Sequence, residues 1–193
     1  DIRGRDEAMH PAVWALTGEY KDWLCTAVKG PAPDSVAPLE VNPILVLTGG
    51  SRREVEHFYD VVPEGGRLRL FGRGNDDKPA DNFRRWVNYS WREVESEGQN
   101  NAGDWTDADA ERLEALVKKA HRLGYWIRFY SLNGHNKVTG VRFGWSPGYN
   151  LGSLEAVRIR WDAARKAGVD YIATDQCEEA SAWLKQDKKS SGN

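Results

Sequence analysis

The stretch Tyr125-Trp126-Ile127-Arg128-Phe129-Tyr130-Ser131-Leu132, running on into Asn133-Gly134-His135, decides the fold class. Ile127 and Phe129 alternate with Trp126, Arg128 and Tyr130, the period-two pattern of a strand. Helical patterns flank it on both sides. Upstream, Thr106 precedes a segment whose Leu113, Leu116, Val117 and Ala120 share one face, and Gly124 follows its end. A capping hydroxyl and a terminal glycine bracket a helix. Downstream, Ser153 opens a helix with Leu154, Val157, Trp161 and Ala164 on one face, closed by Gly168. Val169 to Thr174 then reads as a strand, and Glu178 to Lys185 as a short helix.

The cycle is also legible toward the N-terminus. Pro43 to Thr48, bounded by Gly49-Gly50, is the continuous apolar run of a strand buried on both faces. Ser51 with Glu54 three positions later marks the capping box of a helix over 51–62. Gly65-Gly66 leads into a strand from Arg67 to Phe71. The polar stretch 72–81 leads to another from Trp86 to Trp91, and Gly98 to Gly103 is a loop. Ahead of these, Val13, Leu16, Tyr20, Trp23, Leu24 and Ala27 recur at helical intervals and predict a helix over 11–28. It ends at the Pro-rich loop 30–41, and 186–193 reads as a solvated tail. Alternating strands and helices predict a parallel α/β fold in a single domain, 1–193.

Composition excludes several functions. The 193 residues carry 27 basic and 29 acidic groups, a net charge of −2, which leaves no electrostatic footprint for nucleic acid or an anionic membrane. The run Ile44 to Leu47 is far short of the roughly 20 apolar residues of a membrane span. Cys25 and Cys177 make no disulfide framework, and no Cys or His spacing is that of a zinc site. Gly72-Arg73-Gly74 lacks the third glycine and the following helix of a dinucleotide loop. Nine tryptophans suit a large core or an aromatic groove for a sugar or lipid.

Ligands of parallel α/β folds meet the C-terminal ends of strands. Those positions offer Thr48, then Arg73 and Asn75, then Asn88 and Trp91. If Ile127 and Phe129 pack on helices, Arg128 and Tyr130 point to the other side. An inward arginine is costly unless it meets an anion or a carboxylate, so Arg128 holds either a phosphate-bearing substrate or a structural ion pair. The next loop supplies Asn133 and His135, the latter either an acid–base group or a solvated one, and the aromatic rim residues Trp145 and Tyr149. Asp175 ends the last strand, to bind a ligand or to hydrogen-bond a neighbouring loop. His10, His57 and His121 lie at the chain start or on predicted helices and receive no role. No paired histidines and no Glu-x-Asp stand at a strand end, so the chain carries no visible catalytic core.

Three stretches carry a resemblance: Asn42 to Gly49, Trp126 to His135, and Ala167-Gly168-Val169-Asp170-Tyr171-Ile172-Ala173-Thr174-Asp175-Gln176. In this order, with helices between, they resemble the C-terminal half of the phosphatidylinositol-specific phospholipase C-like and glycerophosphodiester phosphodiesterase barrels, over roughly residues 40–180. The resemblance implies the C-terminal portion of a (β/α)8 TIM-type barrel, and about half the strands of such a barrel are countable here. It implies phosphodiester hydrolysis by two acid–base histidines and a divalent metal, magnesium or calcium. Those residues would lie upstream of Asp1, with no metal ligands in this chain. Asp1 would then mark a cut, or a partner chain would supply the missing strands. Arg128, Tyr130 and Asp175 carry over as late-strand substrate contacts; the loop from Asn133 to Asn150 is longer than the resemblance leads one to expect. A secreted or periplasmic location is favoured on the same ground.

The expected function is therefore the C-terminal part of a phosphoric diester hydrolase acting on a phospholipid or glycerophosphodiester, inactive as this chain alone. The alternative is a non-catalytic module that holds a sugar or lipid headgroup on Trp91, Trp145 and Tyr149. Neither reading includes nucleic acid or a transmembrane segment.

Overall fold

The computed structural model describes residues 8–95, 103–144, 148 and 150–190, with side chains as far as 185. Trp145, Tyr149, most of the Gly98–Gly103 loop and the last three residues of the tail lie outside the described residues. The chain divides into two compact units, 1–87 with 120–125, and 88–119 with 126–193.

The first unit holds two sheets. Strands β1 (Thr26–Val28), β2 (Leu39–Glu40) and β4 (Arg67–Leu68) form an antiparallel sheet in the order β2-β1-β4. Strands β3 (Leu47–Thr48), β5 (Phe71–Arg73) and the start of β6 (Arg84–Ser90) pair in parallel in the order β3-β5-β6. The predicted strand 67–71 is thus two strands. Leu68 pairs with Ala27 in one sheet and Phe71 with Leu47 in the other, and Leu70 between them is buried. The strand predicted at 43–48 shrinks to Leu47–Thr48, both buried, while Ile44 is exposed and makes one isolated bridge to Leu24. The strand predicted at Trp86–Trp91 starts two residues earlier and stops at Ser90, giving the seven-residue β6, the longest strand among the described residues; Trp91 opens a 3-10 turn.

The helix predicted over 11–28 stops early. Helix α1 spans Met9–Glu19, a 3-10 turn follows at Lys21–Trp23, and Thr26–Val28 is strand β1 because Ala27 is buried between Leu39 and Leu68. Its expected apolar face is also wrong: Leu16, Tyr20 and Trp23 are exposed, and His10 and Thr17 are buried. Arg69 explains the difference. Its guanidinium lies 3.3 Å over the Trp14 ring and donates to Trp14 O at 2.7 Å and Thr17 Oγ at 3.0 Å, so polar contacts orient the helix.

Helix α2 is short, Arg52–Val55, and continues as a π turn, Glu56–Asp60. The capping box is present as predicted, Ser51 on Glu54 N and Glu54 on Ser51 N. Glu54 is buried and also accepts from Gly49 N at 2.8 Å and from the Thr48 hydroxyl. Gly50 closes the same turn at φ +79°, where an added Cβ would fall 2.1 Å from Arg73 O; only glycine fits. The Pro-rich loop is clamped from β6 and the turn before it. Asn82 N donates to Pro33 O at 2.5 Å, Asn82 Nδ2 to Ser35 O at 2.6 Å, and Arg85 Nη1 to Ala37 O at 2.6 Å. Burial pushes Arg85 down to about 10, against the opposing charge of Asp81.

In the second unit the end of β6 is followed across the sheet by β7 (Trp126–Tyr130) and β8 (Tyr171–Ile172), the last two parallel, with Arg128 opposite Tyr171. Helix α3 (Asp107–Arg122) begins in this unit, with Thr106 and Asp109 capping each other. Helix α5 (Leu154–Ala167) has the predicted Ser153 cap and ends at Gly168 in the left-handed region. The loop read from 133 to 152 holds an unpredicted helix α4, Lys137–Arg142, capped by Asn136. Helix α6 spans Cys177–Ser190, longer than its sequence signal and reaching into the predicted tail. Parallel strands with helices between them make the chain α/β.

The core of this unit surrounds a charge pair. Arg160 of α5 and Glu95 are both buried and joined by two hydrogen bonds. Trp91 Nε1 donates to the same carboxylate at 2.8 Å, and Arg160 donates to Gly103 O at 2.7 Å. Ile127, Phe129, Leu132, Trp91 and Trp161 are fully buried around it.

Replacing Arg160 by Met strands the Glu95 carboxylate. Urea unfolding is expected to show a loss of about 3–5 kcal/mol, much of it recovered when Glu95→Met is added. Glu54 gives a pH signature. Burial raises its carboxyl, and hydrogen bonds from Thr48, Ser51 and Gly49 outweigh that and hold it below its ordinary 4.5. A carboxyl lower in the folded state contributes stability that is present above its unfolded value and lost as pH falls through the folded one. Glu54→Gln is therefore expected to lower the unfolding midpoint at neutral pH and to flatten its decline below about pH 4.5.

Candidate functional site

The second unit gathers most of the residues singled out at strand ends. Alternation along β7 is as predicted: Ile127 and Phe129 are fully buried, and Trp126, Arg128 and Tyr130 are half-buried on the other face. Phe129 meets the Trp91 ring edge-on at 5.3 Å and Tyr89 at 5.7 Å, which anchors the strand from its apolar side. On the polar side, Arg128 Nη1 donates to Asn88 Oδ1 at 2.7 Å. The amide orients the guanidinium. A half-buried cation held in this way, with several donors in a planar fork, is suited to a phosphate.

Beyond β7 the chain turns at Ser131, buried and at φ 72°, an uncommon conformation for a residue with a side chain. Strained backbone at a strand end accompanies functional positions. Asn133 then ties this loop to the one after β8. Its Oδ1 accepts from Asp175 N at 2.7 Å and Thr174 Oγ at 2.8 Å, and its Nδ2 donates to Asp175 Oδ2 at 2.6 Å. Gly134 N donates to Gln176 Oε1 at 2.5 Å. Asp175, exposed, thus takes the second of its two expected roles, bonding the neighbouring loop. Asn133, buried with its oxygen and its nitrogen both engaged in that loop, is a scaffold residue rather than the substrate contact it was expected to be.

His135 follows on the same loop. Its backbone N–H donates to Asn150 Oδ1 at 2.8 Å, and Asn150 Nδ2 donates to His135 O at 2.5 Å. Burial pushes the imidazole below its ordinary value, against the raising charges of Glu179 and Asp175. The ring is therefore predominantly neutral at pH 7, the state in which one nitrogen accepts a proton or a hydrogen bond.

The remaining sequence candidates separate. Trp91 is fully buried with its indole N–H on Glu95, so it is a core residue and not part of an aromatic rim. Arg73 ends β5 in the first unit and is exposed there. Trp145 and Tyr149 lie outside the described residues. Sequence reasoning missed Ser131, Asn150, Thr174 and Gln176. Asn150 pairs across 15 residues and Gln176 across 42, separations at which no local pattern signals a contact. Among the described residues, no group of three or more His, Cys, Asp and Glu side chains is placed to hold a metal ion. No described helix is long and apolar enough to cross a membrane.

Comparison with known proteins leaves the reading to these residues: no family model, no curated protein and no solved structure matches the chain.

Asn133→Ala removes the hydrogen-bond partners of Thr174, Asp175 and its backbone N–H. Thermal and urea unfolding are expected to show a loss of about 1–3 kcal/mol. A change within about 0.5 kcal/mol, the range of ordinary surface substitutions, would deny Asn133 its scaffold role.

Proposed function

We propose that this chain is the C-terminal part of a phosphoric diester hydrolase of (β/α)8 type, acting on a phospholipid or glycerophosphodiester. The observation that carries the reading is the Arg128 guanidinium, half-buried on the polar face of β7 and oriented by Asn88. The order of the three stretches from Asn42 to Gln176 supports the same reading.

In this reading Arg128 holds a non-bridging phosphate oxygen, and its fixed charge favours the transition state, in which negative charge accumulates there. Tyr130, two residues on along the same face, borders the substrate. Neutral His135 and Asp175 lie on the two loops that Asn133 joins. A divalent metal, magnesium or calcium, would polarise the phosphoryl group, with histidines activating the nucleophile and protonating the leaving oxygen. Among the described residues no group of three or more His, Cys, Asp and Glu side chains is placed to hold such a metal; in this reading its ligands and the acid–base pair come from residues outside this chain. The sugar or lipid-headgroup alternative loses Trp91 from its aromatic rim.

The test is kinetic. In the protein that also contains the acid–base half, Arg128→Ala is expected to lower kcat/KM for bis-(p-nitrophenyl) phosphate by about 10²–10³-fold, with Asn88→Ala giving a smaller loss. The chain by itself, with magnesium or calcium, is expected to give no turnover. Unchanged kcat/KM in the Arg128 variant would return the guanidinium to a structural role, and metal-dependent turnover by this chain alone would overturn the division of the site.

A further inference from the structure

Folding brings together two histidines that the sequence separates by 47 positions. His10, in the first turn of α1, is buried at 5% exposure, and its Nδ1 has no hydrogen-bond partner among the described residues. His57, in the π turn after α2, stands beside it, ring centroids 5.2 Å apart and planes inclined by 44°. Phe58 meets the His10 ring edge-on at 5.5 Å. Nearly every buried polar atom in a folded protein has a partner, and one that lacks it calls for an explanation, such as an ion.

The second imidazole is prepared to share one. His57 Nδ1 lies 2.8 Å from Arg53 O. A carbonyl oxygen only accepts, so Nδ1 is the donor, and in the neutral ring Nε2 is the nitrogen left to ligate an ion. Metal-binding histidines are held in this way, one nitrogen donating to a backbone carbonyl and the other ligating. The spacing agrees. With Zn–N bonds of about 2.0–2.1 Å and ring nitrogens about 1.1 Å from the ring centre, two imidazoles on one tetrahedral ion have centroids about 5 Å apart.

We propose that His10 and His57 form a two-imidazole site for a divalent ion of the zinc class, which clamps α1 to the turn after α2. Two neutral nitrogens without a carboxylate suit zinc, nickel or copper and not magnesium or calcium, which prefer oxygen. The half-exposed His57 ring gives the ion its way in, and water completes the coordination. This site is independent of the phosphodiester reading, which places no role on either histidine.

The experiment is a titration of the chelator-treated chain with zinc chloride, followed by calorimetry and by thermal unfolding. One equivalent is expected to bind and to raise the unfolding midpoint. His57→Ala, at a half-exposed position, is expected to weaken binding by about tenfold or more and to remove the rise in midpoint, while His121→Ala leaves both unchanged. Imidazole ¹⁵N spectra of the unsubstituted chain give a reading that needs no variant: zinc shifts the resonances of His10 and His57 and leaves that of His121 in place. Absence of saturable binding, binding unaffected by His57→Ala, or shifts confined to His121 or His135 would each overturn the proposal.

Discussion

A guanidinium and a carboxylate buried side by side hold the second unit together. Arg160 reaches Glu95 and Gly103 O from one helix, and Trp91 takes the remaining demand of the carboxylate. Neither charge could remain in that position alone, because desolvation costs several kcal/mol per ion. The pair therefore fixes where α5 lies against the segment that follows β6. Trp91, held by Glu95, packs on Phe129, and Trp161 of α5 donates to Leu132 O at 3.2 Å. Phe129 and Leu132 stand on either side of the turn at Ser131. The buried face of β7 is thereby set, and with period-two alternation the opposite face must present Arg128 and Tyr130.

The same constraint sets the polar face. A rigid apolar face gives Arg128 a defined position, Asn88 gives its fork a defined orientation, and Asn133 joins the two loops that border the polar face. In the proposed function these are the parts that orient an anion. Groups that would move protons or hold a divalent metal in a phosphodiesterase are of a different kind, and among the described residues no group of three or more His, Cys, Asp and Glu side chains is placed to hold a metal ion. The division is chemically coherent, since positioning and charge stabilisation can come from one part of a barrel while acid–base groups come from another.

What was legible in the sequence was local. The capping box at Ser51, the Thr106 and Ser153 caps, Gly168 and the alternation of β7 all depend on residues within four positions of one another, and each is present. What was not legible depended on distant partners. The stretch Arg67 to Phe71 reads as one strand, but Ala27 and Leu47 claim its two ends for different sheets. The apolar spacing of α1 was outweighed by Arg69, which holds Trp14 and Thr17 by polar contacts. Trp91 looked like a rim aromatic because nothing near it in sequence announces Arg160, whose carboxylate partner lies 65 residues away. Of the candidate site, strand-end position alone singles out Arg128, Asn88, His135 and Asp175, whereas the scaffold of Asn150, Thr174 and Gln176 required the fold.

The proposed function requires that the polar face of β7 receive a phosphate. Titrating the ¹⁵N-labelled chain with glycerol 3-phosphate, while following the Arg128 Nε and the Asn88 side-chain resonances, tests it most directly. Saturable shifts confined to Asn88, Arg128, Tyr130 and the loops joined by Asn133 are expected. Shifts that do not saturate, or that saturate while the Arg128 and Asn88 resonances stay in place, would contradict it.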